Sequence, residues 1–322
     1  MAGNGARATV GGTAPERAAG RSRRRHWGRW LVVIAAIVLV VAVAIVGAVG
    51  WVASERAIHP APNTYPWSLA DYPNLKAEPV TFRSSTGVTI AGRFIPGASK
   101  ATIILSHGYG DNQNQMLPWA DFLNRSGFSV FTYDMRARGA SGGRDVTLGA
   151  LEQFDLVSAV EYLATRPDVD PNRIGALGVS LGGSTTILAA ARDVRIKAVV
   201  DDCGFSDAPD VISTSFEHFI GIPAWPFAPV AVRIAEWRAG VDVNGVRPMD
   251  VIGSISPRPI FIIHGTVDQD VPPDNSVRNY DAARQPKQIW WVAGAGHNQS
   301  REVAGAAYGQ RINAFFHQAL GV

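Results

Sequence analysis

Hydrophobic positions fall into three regimes along this chain. Between Leu31 and Val52 they are continuous, with no charged side chain in 22 residues of mostly Val, Ala, Ile, Leu and Gly. At a rise of about 1.5 Å per residue this predicts a helix of about 33 Å, the thickness of a hydrocarbon core. Over residues 53–77 the pattern is broken by Pro60, Pro62, Pro66 and Pro73, which predicts an irregular connector. Over 78–322 short apolar runs alternate with segments of helical period.

Within that last regime, residues 80–83 and 88–94 read as an antiparallel hairpin turning near Ser85-Thr86-Gly87. Further strands are predicted at 102–106, 129–133, 174–179, 197–200, 260–263 and 289–292. Helices are predicted at 116–125 and 151–165, after the strand at 174–179, and at 302–320, where one would close the chain. Such alternation predicts a largely parallel sheet covered on both faces, with ligands bound at the carboxyl ends of the strands. The stretch 204–256 interrupts the alternation with Phe205, Phe216, Phe219, Trp225, Phe227 and Trp237. It is expected to form a helical lid over the catalytic edge, the alternative being an ordinary core-packing excursion.

Charge changes the reading of the N-terminus. Residues 1–30 hold seven arginines against Glu16; without them, 30 basic and 27 acidic residues become 23 and 26. The basic balance therefore belongs to a tail, and no basic patch of the kind that tracks a phosphate backbone remains, so nucleic acid is not an expected partner. Trp30 and Trp51 border the apolar run, and Arg21, Arg23, Arg24, Arg25 and Arg29 precede it. The expectation is a single-pass anchor in the cell membrane, N-terminus cytoplasmic and catalytic domain extracytoplasmic. A cleavable signal peptide would share the basic lead but has an apolar region of only about 7–15 residues. In a twin-arginine signal, Arg25 and His26 would occupy the positions expected to be apolar.

Cys203 is the sole cysteine, which excludes an intramolecular disulfide. The seven histidines show no H-E-x-x-H or comparable spacing, so neither metal nor cofactor is expected. Oligomeric state is not legible.

The chemistry centres on Gly178-Val179-Ser180-Leu181-Gly182, which runs from an apolar strand into a helical segment. A serine at the tip of so sharp a turn takes strained backbone angles, and the flanking glycines let neighbouring chain pass. Asp268 and His297 follow, each after a predicted strand, in the order Ser, Asp, His. A serine hydroxyl needs a base to take its proton and an acid to orient that base, the roles expected of His297 and Asp268. The oxyanion formed on attack needs backbone donors, expected to be the N–H groups of Leu181 and Tyr109. Asp270 is a competing acid, as are Asp201 and Asp202 after an earlier strand, which are read as fold-stabilising. His107 and His264, each preceding a glycine, are expected to be structural, as are Asp134 and Arg136.

Five segments together resemble the α/β-hydrolase superfamily: 106–112, 133–143, the elbow with Gly183, 264–272, and Gly296-His297. The similarity covers about residues 78–320 and is nearest to the serine aminopeptidase and monoglyceride lipase-like branch and to bacterial membrane-anchored hydrolases of that type. It implies the α/β-hydrolase fold, and the pattern His-Gly-x-x-Asp selects Asp268 over Asp270. It also implies a serine hydrolase, for which an ester is the expected substrate bond; the apolar lid and the membrane tether add the expectation of a small-molecule or lipid ester with a hydrophobic acyl group. A peptidase or aminopeptidase of the same fold, or a noncatalytic binding protein that keeps it, are the alternatives.

Overall fold

The computed structural model describes residues 1, 3, 5, 6, 8, 11 and 19–322, and the side chains of 19–26 and 219–220 fall outside that description. Residues 2, 4, 7, 9, 10 and 12–18 of the basic tail expected over 1–30, and the side chain of Phe219 in the expected lid, therefore lie outside that description. Two compact units divide the chain, 1–48 and 49–322. The first holds most of helix α1 (Ala19–Ile58), whose stretch Trp27–Ile58 contains 18 consecutive residues of mean hydropathy 3.3 and is long and apolar enough to cross a membrane. The helix runs six residues past Val52, into the stretch expected to be connector.

In the second unit the hairpin forms as β1 (Glu78–Arg83) and β2 (Thr89–Ile95), followed by β3 (Thr102–Ser106), α2 (Leu117–Arg125), β4 (Ser129–Tyr133) and α3 (Glu152–Ala164). The chain continues through β5 (Ile174–Val179), α4 (Leu181–Arg192) and β6 (Ile196–Asp202). Three helices then intervene, α5 (Ala208–Ile220), α6 (Ala224–Ala239) and α7 (Pro248–Val251). The fold closes with β7 (Ile260–Gly265), α8 (Asp274–Ala282), β8 (Lys287–Val292), α9 (Ser300–Ala304) and α10 (Ala306–Leu320). Gly305, at φ +55°, breaks the expected closing helix into the last two.

Among the described residues the strands form one sheet in the order β1-β2-β4-β3-β5-β6-β7-β8, antiparallel at β1/β2 and β2/β4 and parallel from there on. Successive strand residues point to opposite faces. Ile104, Ala176, Val199 and Ile262 accordingly join Leu156 and Val160 of α3 and Ile187 of α4 in one apolar layer. Ile103, Leu177, Val200 and Ile263 join Leu123 of α2 and Ile312 and Phe316 of α10 in the other. Both sides of the central strands are buried, which is why they read as uninterrupted apolar runs.

The aromatic residues of 204–256 have several destinations. Phe205 belongs to the main core, and Phe216 packs with Ala224, Ala228 and Ala231 in a small cluster of its own. Trp225 and Trp237 are 77% and 76% exposed. The connector also folds onto the unit that contains it: Ile58 and Leu75 are buried, and Val146 N–H donates to Ile58 O.

Candidate active site

Ser180 stands between β5 and α4 with φ 56° and ψ −120°, a region that side chains avoid unless the surroundings compel it. Its N–H donates to Asp202 O at 2.8 Å, which ties the turn to the end of β6. A Cβ at Gly178 would collide with the Gly182 carbonyl, one at Gly182 with the Ser106 carbonyl, and one at Gly183 with Asp201 Oδ1. The elbow thus has no room for side chains where it crosses β3 and β6.

β7 and β8 deliver the other two residues to the same edge. His297 Nε2 lies 2.8 Å from Ser180 Oγ, and its Nδ1 lies 2.8 Å from Asp268 Oδ2. Asp268 Oδ1 accepts the N–H groups of Asp270 and Val271, each at 3.0 Å. Burial opposes ionisation of Asp268, but hydrogen bonds from His264 and His297 and the Val271 N–H outweigh it and hold the carboxyl far below its usual range. This carboxylate is therefore ionised against His297.

His264, fully buried, is a second histidine on the same acid: Nε2 lies 3.3 Å from Asp268 Oδ2 and 2.9 Å from Val271 O, and Nδ1 lies 2.6 Å from Ser276 Oγ. Burial alone would lower its pKa, yet the Asp268 carboxylate raises it above the ordinary value. Asp270 faces His218 at 3.3 Å and supports Asp268 through its backbone. Asp202 accepts from Ser300 at 3.0 Å and Tyr308 at 2.6 Å. Asp201 accepts the Gly204 N–H. His297 Nδ1 is bonded to Asp268, and the competing acids are occupied elsewhere.

The loop after β3 packs against the N-terminus of α4. Met135 N–H donates to His107 Nε2 at 2.9 Å, so the proton sits on Nδ1, which donates to Gly108 O at 2.8 Å. Burial lowers the pKa of this histidine and keeps it a neutral strut. Gly108 N–H is committed to Gln115 Oε1 at 2.7 Å. His107, Gly108 and Leu181 border one recess. Leu181, the first residue of α4, has an N–H beyond the reach of any intrahelical carbonyl. Asp134 accepts from Gln113 and Ala140, and Arg136 grips the buried Asp155 through two bonds of 2.6 and 2.8 Å. Both brace loops.

One neighbour was not legible as such. Cys203, at φ +53°, donates to Asn298 Oδ1 at 3.3 Å, and its sulfur lies within 4.8 Å of ligating atoms of Asp268 and His297. Burial pushes the thiol well above its ordinary pKa. A neutral thiol is a poor metal ligand. Its position follows from β6 lying between β5 and β7, a strand order that sequence spacing does not reveal.

Strand order, elbow and site geometry define an α/β-hydrolase. Residues 120–322 match the prolyl oligopeptidase family, peptidase S9, and the chain belongs to that family. It is 31% identical over 230 residues to the uncharacterized protein YfhR of Salmonella typhi, covering 69% of this chain and 75% of that protein. It is 28% identical over 235 residues to the uncharacterized protein YqkD of Bacillus subtilis, covering 72% and 76%. Among solved structures, the Pyrococcus furiosus esterase Pf2001 superposes with a TM-score of 0.69 at 23% identity, over 82% of this chain and 98% of that one. Acetyl xylan esterase 1 from Thermoanaerobacterium superposes at 0.60 and 17% identity, over 84% and 92%.

Proposed function

We propose that the protein is a serine hydrolase that cleaves carboxylic esters through an acyl-enzyme on Ser180. The reading is carried by one observation, the unbroken path Ser180 Oγ, His297, Asp268 at 2.8 Å per step on a strained elbow. Ser180 Oγ attacks the ester carbonyl as His297 Nε2 takes its proton, and Asp268 stabilises the resulting imidazolium. The N–H groups of Leu181 and Tyr109 receive the oxyanion. Collapse of the tetrahedral intermediate breaks the bond to the alcohol, which leaves with the proton from His297. Water activated by the same nitrogen then releases the acid and restores Ser180.

Two features favour a hydrophobic acyl group, such as that of a lipid ester. A cavity of about 80 Å³ is lined chiefly by apolar side chains, among them Ala53, Ala57, Phe216 and Ala235. Val146 lines both this cavity and the recess beside Leu181. An apolar space several times the size of a water site favours a hydrocarbon occupant. In this reading α1 anchors the protein in the membrane, with the hydrolase unit extracytoplasmic. The family match supports a second reading, a peptidase.

A membrane-impermeant fluorophosphonate applied to intact cells tests chemistry and topology together. Labelling is expected in the wild type and absent in Ser180→Ala. Labelling only after lysis would overturn the topology, and none in folded protein would overturn the mechanism. Parallel assays on p-nitrophenyl esters and aminoacyl or prolyl anilides separate esterase from peptidase; faster anilide cleavage would select the second reading.

A further inference from the structure

The last turn of α1 leaves four carbonyls that no N–H within the helix can reach. His59 N–H closes Glu55 O at 3.0 Å and Val146 N–H closes Ile58 O at 2.9 Å. The two between them, Arg56 O and Ala57 O, share the hydroxyl of Tyr109 at 3.1 and 2.8 Å. The helix that carries the apolar span thus ends on the loop assigned to the oxyanion.

The chain that follows grips the same loop. Asn63 N–H donates to Gly110 O at 3.0 Å, Asn63 Nδ2 to Asp111 Oδ1 at 2.6 Å, and the Tyr65 hydroxyl to that same carboxylate oxygen. Arg138 spans the join, donating to Pro60 O at 2.8 Å, to Asp111 O at 3.1 Å and to Gly110 O. On its other side the loop is held by His107 and Gln115. Residues 108–111 are therefore clamped between the hydrolase body and residues 56–65.

We propose that residues 56–65 are a positioning element for the reaction, fixing the loop so that the Tyr109 N–H meets the oxyanion in the transition state. This rests on the oxyanion assignment above. The side chains of Asn63 and Tyr109 act here through the backbone they hold. An oxyanion donor acts only when aimed at the place where charge develops, and small misplacements cost large factors in rate.

Tyr109→Phe and Asn63→Ala, made in the full chain and assayed in detergent on a p-nitrophenyl ester, test the idea. Each is expected to lower kcat by about 10-fold with KM within about twofold. The Ki of a trifluoromethyl ketone, which adds to Ser180 and places an oxyanion in the hole, should rise in parallel with KM/kcat. Thermal melting reports folding separately and is expected to stay within a few degrees. Wild-type kcat and ketone affinity in both variants would overturn the proposal, as would a lower kcat with unchanged ketone affinity. Failure of the wild type itself to hydrolyse the ester or bind the ketone would instead overturn the functional reading beneath it.

Discussion

Asp201 shows how far burial can move one side chain at the end of β6. Loss of water pushes its carboxyl up to about 7, against partial compensation from His264. Among the described residues, Asp201 Oδ2 and Asn279 Oδ1 are buried acceptors without a donor, and the Asn279 side chain lies against Asp201. The Asn279 side chain and the Gly204 N–H favour the ionised form, and burial outweighs them. The folded carboxyl holds its proton where the unfolded one, near 3.8, has lost it. Stability from this group is therefore full below about pH 4 and is lost as pH rises to about 7. Asp201→Asn removes the ionisable carboxyl and is expected to reduce the fall in melting temperature between pH 4 and 7 and to raise stability at pH 8. Identical slopes for variant and wild type would show that Asp201 is not protonated when folded. Its neighbour Asp202, pushed up to about 6 by burial despite donors from Tyr308 and Ser300, titrates in the same window, so part of the slope should persist.

At the scale of elements, the strand–turn–helix unit around Ser180 is where sequence is most informative. Residues 174–179 were legible as a strand to the residue, because both faces are buried and glycine follows at each crossing. The α/β-hydrolase fold and the approach of Ser180, Asp268 and His297 follow from such local signals in order along the chain. The Asp268–His264 contact, the Cys203 neighbour and the grip of residues 56–65 were not legible. All three depend on which strands and loops become adjacent, and prolines in the connector announce irregular backbone without saying where it packs. The elbow also yields a sharp expectation for Gly182→Ala. The new Cβ would meet the Ser106 and His107 carbonyls, which are backbone of β3 and of the loop after it and cannot rotate away. The substitution should cost about 1–3 kcal/mol, a typical overpacking penalty, and displace the same loop from Leu181. Chemical denaturation together with ester turnover checks both; a variant with wild-type midpoint and rate would mean that β3 yields more easily than its central place in the sheet implies.

For the whole molecule, the insertion between β6 and β7 and the last turns of α1 bring apolar surface to one place. Ala53 and Ala57 of α1 and Phe216 and Ala235 of α5 and α6 line a single cavity that touches Val146. Alanines leave that space open, because a methyl group reaches only a short way across the gap between helices. If the cavity receives the acyl chain, filling it should shorten the chains accepted without touching the chemistry, since Ser180, His297 and Asp268 stand on other elements. Ala235→Leu adds three carbons on α6. A methylene in an apolar pocket is worth about 1–3 kcal/mol of discrimination, so kcat/KM for a decanoyl ester is expected to fall by at least about 10-fold while the acetyl ester stays within about twofold. Equal losses on both esters would point to distortion of the site, and no loss on either would place the acyl chain elsewhere. The outcome also bears on α1: a cavity that selects acyl length would mean that the helix holding the apolar span supplies part of the wall that recognises substrate.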